Sequence, residues 1–434
     1  MTDLIMPLAR PVAGDMMGLS FATRSFDFLT HGLPSGLAFS RASSGTITNS
    51  SGVLEVLGTA LPRFDYAPST HAPQGILMEQ ASTNYARATN DFSNAFWTKW
   101  QSTLGSTTNG PDGTASLVKV IPTAVSGTHV IQKVLTLTVG DYWVASYYVK
   151  ASDYTKCAVY ARSSGFSNVA YVRFDLESGG VITSGTSGNG IINGYGCEDV
   201  GNGIFRVWLA ARTSATDTSA VFEFQILNSA GTSSFTGDGT SGLYMGCAQF
   251  ERGPYVDQPT SYIPNAGTGA DATRASDTLG VSNLLQASWF NHHHGTLILD
   301  FDVHAVGTHN VSHRLAEFYL NTDNRLLVTY NPNDTGCGLK TLNIVSGTLV
   351  STAAPTLPKV ARTRRRVAMD YTSDTLRLSV DGSAIETAAI GGLGEWNQLN
   401  LGWSASGAFG LNGHLYRAIY MPQAGYNLQQ LSEI

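Results

Sequence analysis

An all-β fold built from stacked antiparallel sheets is what this sequence predicts, and three observations predict it. Between Asn84 and Asp277 short alternating segments are joined by Gly, Asp, Asn and Ser turns, with no helix-length amphipathic stretch among them. Charged residues make up 13% of the chain, against roughly 25% in an average soluble domain. Solvent-facing positions must therefore be filled mostly by Ser, Thr, Asn and Gly. Finally, there are 46 glycines, as many tight hairpins require, because glycine tolerates positive φ.

The elements follow in chain order. Residues 1–90 read as an irregular arm, because Pro7, Pro11, Pro34, Pro62, Pro68 and Pro73 interrupt any long element. Short strands are expected at Leu37–Ser40, Val53–Leu57 and Gly75–Glu79. Such an arm buries no core alone, so it is expected to dock on its own C-terminal domains, on sister chains or on a larger assembly.

Residues 91–265 read as a first β module. Its expected strands are Tyr142–Lys150, Lys156–Ala161, Ala170–Leu176, Gly203–Arg212, Ala220–Leu227 and Leu243–Glu251. In the third, Ala170, Val172, Phe174 and Leu176 share one face, and Tyr171, Arg173 and Asp175 share the other. In the fourth, Phe205, Val207, Leu209 and Ala211 oppose Arg206, Trp208, Ala210 and Arg212. A period of 2 buries one face of each strand and leaves the other wet.

Residues 264–276 lack apolar periodicity and read as a linker. A second β module is expected over 277–434. Its strands are Gly295–Ala305, Arg314–Leu320, Arg325–Tyr330, Thr341–Val345, Arg365–Tyr371, Thr375–Val380 and Leu399–Trp403, with a last strand pair over Gly410–Met421. Asp381-Gly382 is a hairpin signal. Only the closing NLQQLSEI looks helical.

Charge and motifs exclude several functions. With a net charge of −6 and a pI near 5.9, the chain lacks the basic field that a nucleic acid partner requires. No run approaches the roughly 20 apolar residues of a membrane span, and the N-terminus lacks the pattern of a signal peptide, so synthesis and assembly in a cytoplasm are expected. Cys157, Cys197, Cys247 and Cys337 have no CxxC spacing, which argues against zinc and for reduced thiols. No GxSxG, HExxH or P-loop is present, and a non-enzymatic protein is expected.

The first module resembles a carbohydrate-binding-like jelly roll found in phage structural proteins. The residues that carry the resemblance are Trp97 in FSNAFWTKW, Pro111-Asp112-Gly113, YYVKA at Tyr147–Ala151, VGNG at Val200–Gly203, GDGT at Gly237–Thr240, AQFE at Ala248–Glu251 and SYIP at Ser261–Pro264. FSRAS at Phe39–Ser43, PRFDY at Pro62–Tyr66 and GILMEQASTN at Gly75–Asn84 look like the segment preceding that module in phage head-spike and fibre proteins. The second module is similar to concanavalin A-like or laminin G-like sandwiches, through RRRVAMDYTSDTLRLSVDG, LNLGWS and FGLNGHLYRAIYM.

Together these resemblances imply a head spike or fibre of a bacteriophage or gene transfer agent. It would sit on the virion surface, contact other particle proteins through the N-terminal arm and assemble as a homotrimer or homopentamer. Its implied ligand is host capsule or lipopolysaccharide. A capsule depolymerase or a ligand-free decoration protein are the alternatives. Phage depolymerases usually sit on repeat-built β-helices, and no repeat is visible here.

The candidate sugar-binding residues are wet-face aromatics with polar neighbours. Sugar C–H faces stack on Tyr and Trp, and sugar hydroxyls need polar partners. Tyr171 and Trp208, beside Arg173, Arg206 and Arg212, form one such set. The strand GTLILDFDVHAV supplies another in Asp300, Asp302 and His304, which share a face with Ile298. Two Asp and one His are too few oxygens for calcium, and a solvated sheet face is the competing reading. No resident cofactor is expected, although jelly rolls of this class often carry a structural Ca²⁺, for which turn residues Asp112, Asp217 and Asp238 would be ligands. The alternative is that these Asp close Asx turns. His292-His293-His294 is expected in a turn, because adjacent strand residues point to opposite sides. Arg362, Arg364, Arg365 and Arg366 would either meet an acidic capsule or guard an edge strand.

Overall fold

The computed structural model describes residues 22–433 apart from 164, 254–256, 305–311, 335–337, 354, 356, 359, 406 and 408. Pro7, Pro11, Ala305 and Cys337 lie outside the described residues. The chain is all-β, with one four-residue α-helix at Leu428–Leu431 and one 3₁₀ turn at Leu284–Gln286 among the described residues. It divides into two compact units. One comprises Ser40–Asp277 with His304–Val311, and the other comprises the N-terminus to Phe39, Thr278–Val303 and Ser312–Ile434.

In the first unit two sheets stack into a sandwich. Sheet one runs, in spatial order, Ile191–Asp199, Ile204–Arg212, Tyr142–Lys150, Leu243–Gly253, Leu117–Pro122 and Ser102–Thr108. Sheet two runs Gly180–Ser187, Val169–Asp175, Lys156–Ser163, Ser219–Leu227, Val130–Thr136 and Thr98–Trp100. All the pairings within both sheets are antiparallel. The alternation sets the core. Val207, Leu209 and Ala211 of sheet one meet Ala170, Val172, Phe174, Phe222 and Phe224 of sheet two in a single buried cluster. Each such fully buried large side chain contributes about 1.5–3 kcal/mol.

Several resemblance motifs turn out to be packing devices. Trp97 is buried, donates its indole N–H to the Ala88 carbonyl at 3.0 Å, and packs against Phe92, Phe96 and Phe250. Asp112 accepts from the Thr114 amide and from the Thr114 and Ser116 hydroxyls. Asp238 accepts from the Thr240 and Ser241 amides. Both close Asx turns, while Asp217 accepts from the Asn168 side chain.

The part of the arm within this unit is ordered by charge. Arg41, Arg63 and Arg274 are almost fully buried, as are Glu79 and Asp277. Arg63 pairs with Glu79 at 2.6 Å and with Asp277, and Arg41 pairs with Asp277 at 3.2 Å. Burial works to raise the Glu79 carboxyl. The Arg274 and Arg63 charges and the Ser261 donors outweigh it and hold Glu79 below the ordinary carboxylate range. These residues come from FSRAS, PRFDY, GILMEQASTN and TRASD, so the segments before and after the jelly roll are fastened together. Residues 264–276 are accordingly not a linker. Ala272–Arg274 pairs antiparallel with Ser82–Asn84, and Arg274 is 1% exposed. A segment that supplies a buried guanidinium cannot swing freely.

The second unit is also a sandwich. One sheet holds Glu386–Ala389, Thr375–Val380, Arg365–Tyr371, Gly295–Phe301 and Gly413–Met421, with Arg24–Asp27 paired to the last. The other holds Thr278–Ser282, Gln398–Leu401, His313–Asn321, Asn324–Tyr330, Leu339–Val345 and Thr348–Ala353. The expected strand pair over Gly410–Met421 is a single strand from Gly413, because Asn412 takes φ 50° and ends extended backbone there. Asp381 and Gly382 both take positive φ, 48° and 72°, as a hairpin turn of this type requires. His292, His293 and His294 lie in a bend before the Gly295 strand.

Candidate functional site

The register of sheet two brings a polar and aromatic set together on the face turned away from the core. One row across neighbouring strands reads Gln132, Glu223, Tyr160, Tyr171 and Gly185. The next reads Trp100, Val130, Gln225, Ala158, Arg173 and Thr183. Each outward residue alternates with a core residue, which is why the whole set shares one face.

The Tyr160 and Tyr171 rings stack, with centroids 5.2 Å apart and planes at 20°. Tyr171 lies over Gly185, where an added Cβ would come within 2.8 Å of the phenol oxygen. Only glycine lets the ring lie down on the neighbouring strand. Two guanidinium groups accompany the stack. Arg162 sits 4.4 Å from the Tyr160 centroid, and Arg173 sits 5.4 Å from that of Tyr171. Arg173 donates to the Gly231 carbonyl at 3.1 Å and to the Tyr160 hydroxyl at 3.3 Å.

Beneath the guanidinium groups is a pair of buried polar groups. Gln225 donates its amide to Glu223 at 2.5 Å, and Arg162 Nε stands 3.1 Å from the same carboxylate. That last contact is ionic rather than an aligned hydrogen bond, since Arg162 Nε has no hydrogen-bond partner. Burial pushes the Glu223 carboxyl above its ordinary value, against the pull of Arg162 and the Gln225 amide. Gln225 is 1% exposed and its Oε1 has no hydrogen-bond partner, and neither has Arg173 Nε. Buried polar atoms of this kind are normally satisfied. At the edge of the same face Trp100 is 56% exposed.

The candidates Tyr171 and Arg173 therefore stand together, but Arg206 and Trp208 do not join them. They occupy the outer face of sheet one, on the other side of the sandwich core. The strands that carry the two pairs belong to different sheets, so alternation alone cannot bring their outward faces together. Arg206 is buried, lies 5.3 Å from the Tyr148 ring and donates to Ser146 at 3.3 Å. Tyr262 from the SYIP segment packs edge-on against Tyr148. Trp208 is half-buried over Gly196, where an added Cβ would meet the indole at 2.2 Å. Sequence reasoning missed Tyr160, Arg162, Glu223, Gln225 and Trp100. The first four had a legible signal in the alternation of KCAVYAR and VFEFQIL.

In the second unit the candidate acids are engaged internally. Asp300 and Asp302 are 2% and 3% exposed, so the Gly295 strand does not present the solvated face expected of it. Register places Asp27, Arg417, Asp300 and Arg366 in one row across four strands, an alternating ladder of charge. Asp300 accepts from Arg364 at 2.6 Å and from Arg366 at 2.9 Å. Burial tends to raise the Asp300 carboxyl, and these two guanidinium groups bring it below its ordinary value. Asp302 accepts from Tyr416 at 2.9 Å and lies 3.0 Å from His414 Nδ1. His304 is half-buried and falls with the other compact unit. The arginine run is neither a free basic patch nor an edge guard. Arg364 and Arg366 hold Asp300, Arg365 holds Asp381 at 2.7 Å, and their strand is paired on both sides.

No protein-family model matches the chain, and no curated protein matches it. Among solved structures it is similar to the CBM40 of Ruminococcus gnavus IT-sialidase bound to α2,3-sialyllactose. Identity there is 14% over 36% of this chain and 92% of that one, with a TM-score of 0.29. It is also similar to domains LG4-5 of the mouse laminin α1 chain, at 10% identity over 71% and 88% with a TM-score of 0.24. A third similarity is to Trypanosoma rangeli sialidase, at 8% identity over 77% and 62% with a TM-score of 0.25. These are likenesses among β-rich structures and no more.

Proposed function

We propose that this chain is a non-enzymatic glycan-binding protein whose ligand lies on the outer face of sheet two. The observation that carries the reading is the Tyr160–Tyr171 stack flanked by Arg162 and Arg173, with Gln225 Oε1 and Arg173 Nε unsatisfied beside it. The half-buried Tyr171 ring, backed by Tyr160, offers a surface to sugar C–H groups, and the half-buried guanidinium groups of Arg162 and Arg173 offer donors to hydroxyls. Glu223 is committed to Gln225 and Arg162 and is therefore not a free acid or base of the kind glycoside hydrolysis requires.

The biological setting we propose is a head spike or fibre of a phage or gene-transfer particle that adheres to host capsule or lipopolysaccharide. It rests on the sequence motifs quoted above. One shallow site binds weakly. Several copies per spike would raise effective concentration and give firm attachment, which is why a homotrimer or homopentamer belongs to the proposal.

A microbial glycan array probed with the full chain tests the reading. Binding that is lost in Tyr171→Ala and Arg173→Gln supports it. An array without binding, or binding indifferent to both variants, contradicts it. Release of reducing ends from a bound polysaccharide would overturn the non-enzymatic part and favour a depolymerase.

A further inference from the structure

A cleft of about 230 Å³ opens within the second unit. It is lined by the aromatic pair Phe26 and Trp289, by Arg24, and by the exposed polar side chains of Ser282, Asn283 and Gln286. Phe26 and Trp289 meet edge to face at 6.0 Å, and Trp289 is braced again by Tyr420 at 5.5 Å. The indole is thus held in place while remaining only half-buried.

Arg24 is positioned with equal care. Its guanidinium lies 5.2 Å from the Phe26 centroid, and its Nη2 donates to the Ser35 carbonyl and, at 3.1 Å, to the Ser35 hydroxyl. Gly36, at φ 87°, lets the loop close on it, since an added Cβ would stand 3.1 Å from Nη2. Arg24 Nε is buried and has no hydrogen-bond partner. Asn283 takes a left-handed φ of 55°, and its side chain makes no cap hydrogen bond to the short turn that follows.

We propose that this cleft is a second glycan site, taking one pyranose residue that bears a carboxylate, such as a uronic acid. Its volume lies below the roughly 300–1,000 Å³ of a drug-sized pocket, which suits one sugar ring. Trp289 supplies an aromatic surface for C–H groups. Ser282, Asn283 and Gln286 supply hydroxyl partners. Arg24, held by Ser35 through Nη2, supplies a fixed positive charge for a carboxylate, with Nη1 as the donor left to it. A neutral hexose would leave the Arg24 charge in the cleft unmatched, which selects against it. None of these residues belongs to sheet two, so the site stands or falls independently of the face described above.

Saturation-transfer NMR and titration of the full chain with glucuronate, galacturonate and glucose test it. At least one uronate should bind in the millimolar range, about tenfold tighter than glucose, a difference of about 1.4 kcal/mol. Arg24→Gln should remove that preference, and Trp289→Leu should weaken every sugar. If Arg24→Gln is unfolded by its denaturation profile, Ala287→Phe, which fills the cleft from one side, must abolish uronate binding. Equal affinity for glucose and both uronates, no binding of either uronate, or full affinity in a folded Arg24→Gln or Ala287→Phe protein would overturn the proposal.

Discussion

In the second unit, the guanidinium groups of Arg364 and Arg366 both end on Asp300, and Arg417 ends on Asp27 at 3.1 Å. On sheet two of the first unit, Arg162 and Arg173 lie against tyrosines, and atoms beside them remain unsatisfied. The residue types are alike, and both sets sit on outward positions of antiparallel strands. The difference is what register places opposite each arginine. Where a carboxylate faces it, the face closes on itself as a charge ladder. Where small or apolar residues face it, Ala158 and Thr183 beside Arg173 and Val169 and Val221 beside Arg162, the guanidinium turns onto a neighbouring tyrosine ring. The two faces therefore differ in whether register sets a carboxylate directly opposite the arginines, as it does for Arg366 and Arg417, rather than in composition.

The sharpest way to break this contrast is to remove a guanidinium group that two carboxylates hold. In the first unit, Arg63→Met strips Glu79 and Asp277 of a fully buried partner and should cost about 3–5 kcal/mol of stability, read as a fall in the denaturant midpoint. The same network sets an acid limit. Glu79 is held below the ordinary carboxylate range in the folded state, so its contribution is complete above the unfolded carboxylate pKa. That contribution is lost as pH falls toward the folded value. Unfolding midpoints should therefore drop steeply below about pH 4, and Arg63→Met should flatten that drop.

Asp300→Asn probes the ladder. It removes the negative charge and one of the two acceptor oxygens that hold Arg364 and Arg366, and because both are partly exposed the expected loss is smaller, about 1–3 kcal/mol. Calorimetry should place that loss in the second unit, and glycan-array binding by sheet two should be unchanged. On the open face the order reverses. Tyr171→Ala should lower stability only by the roughly 0.5–1.5 kcal/mol of an aromatic pair, yet abolish glycan binding by sheet two. Gly185→Val is the mildest change. Its side chain displaces the Tyr171 ring, and a several-fold weakening of glycan affinity with an unchanged unfolding midpoint is expected.

Alternation made the strands legible where apolar residues recur every second position. Tyr142–Lys150, Arg365–Tyr371 and Thr375–Val380 have the expected bounds. Gly180–Ser187 and Ile191–Asp199 escaped because GVITSGTS and IINGYGCED carry glycine and serine where an apolar stripe would show. The outward identity of Tyr171 and Trp208 was readable, but which sheet each strand joins depends on long-range pairing that local pattern does not encode. The same holds for the ion network, where Arg63 and Asp277 are 214 positions apart in sequence. The proline-rich arm looked irregular for the same reason. From Arg41 to Glu79 it is fastened by partners near the other end of the jelly roll.

The measurement closest to the central claim compares two double variants on one glycan array. Tyr171→Ala with Arg173→Gln alters the open face of sheet two, and Trp208→Ala with Arg206→Gln alters the outer face of sheet one. Loss of binding in the first and retention in the folded second is the predicted result. Loss only in the second, or retention in both, would contradict the account.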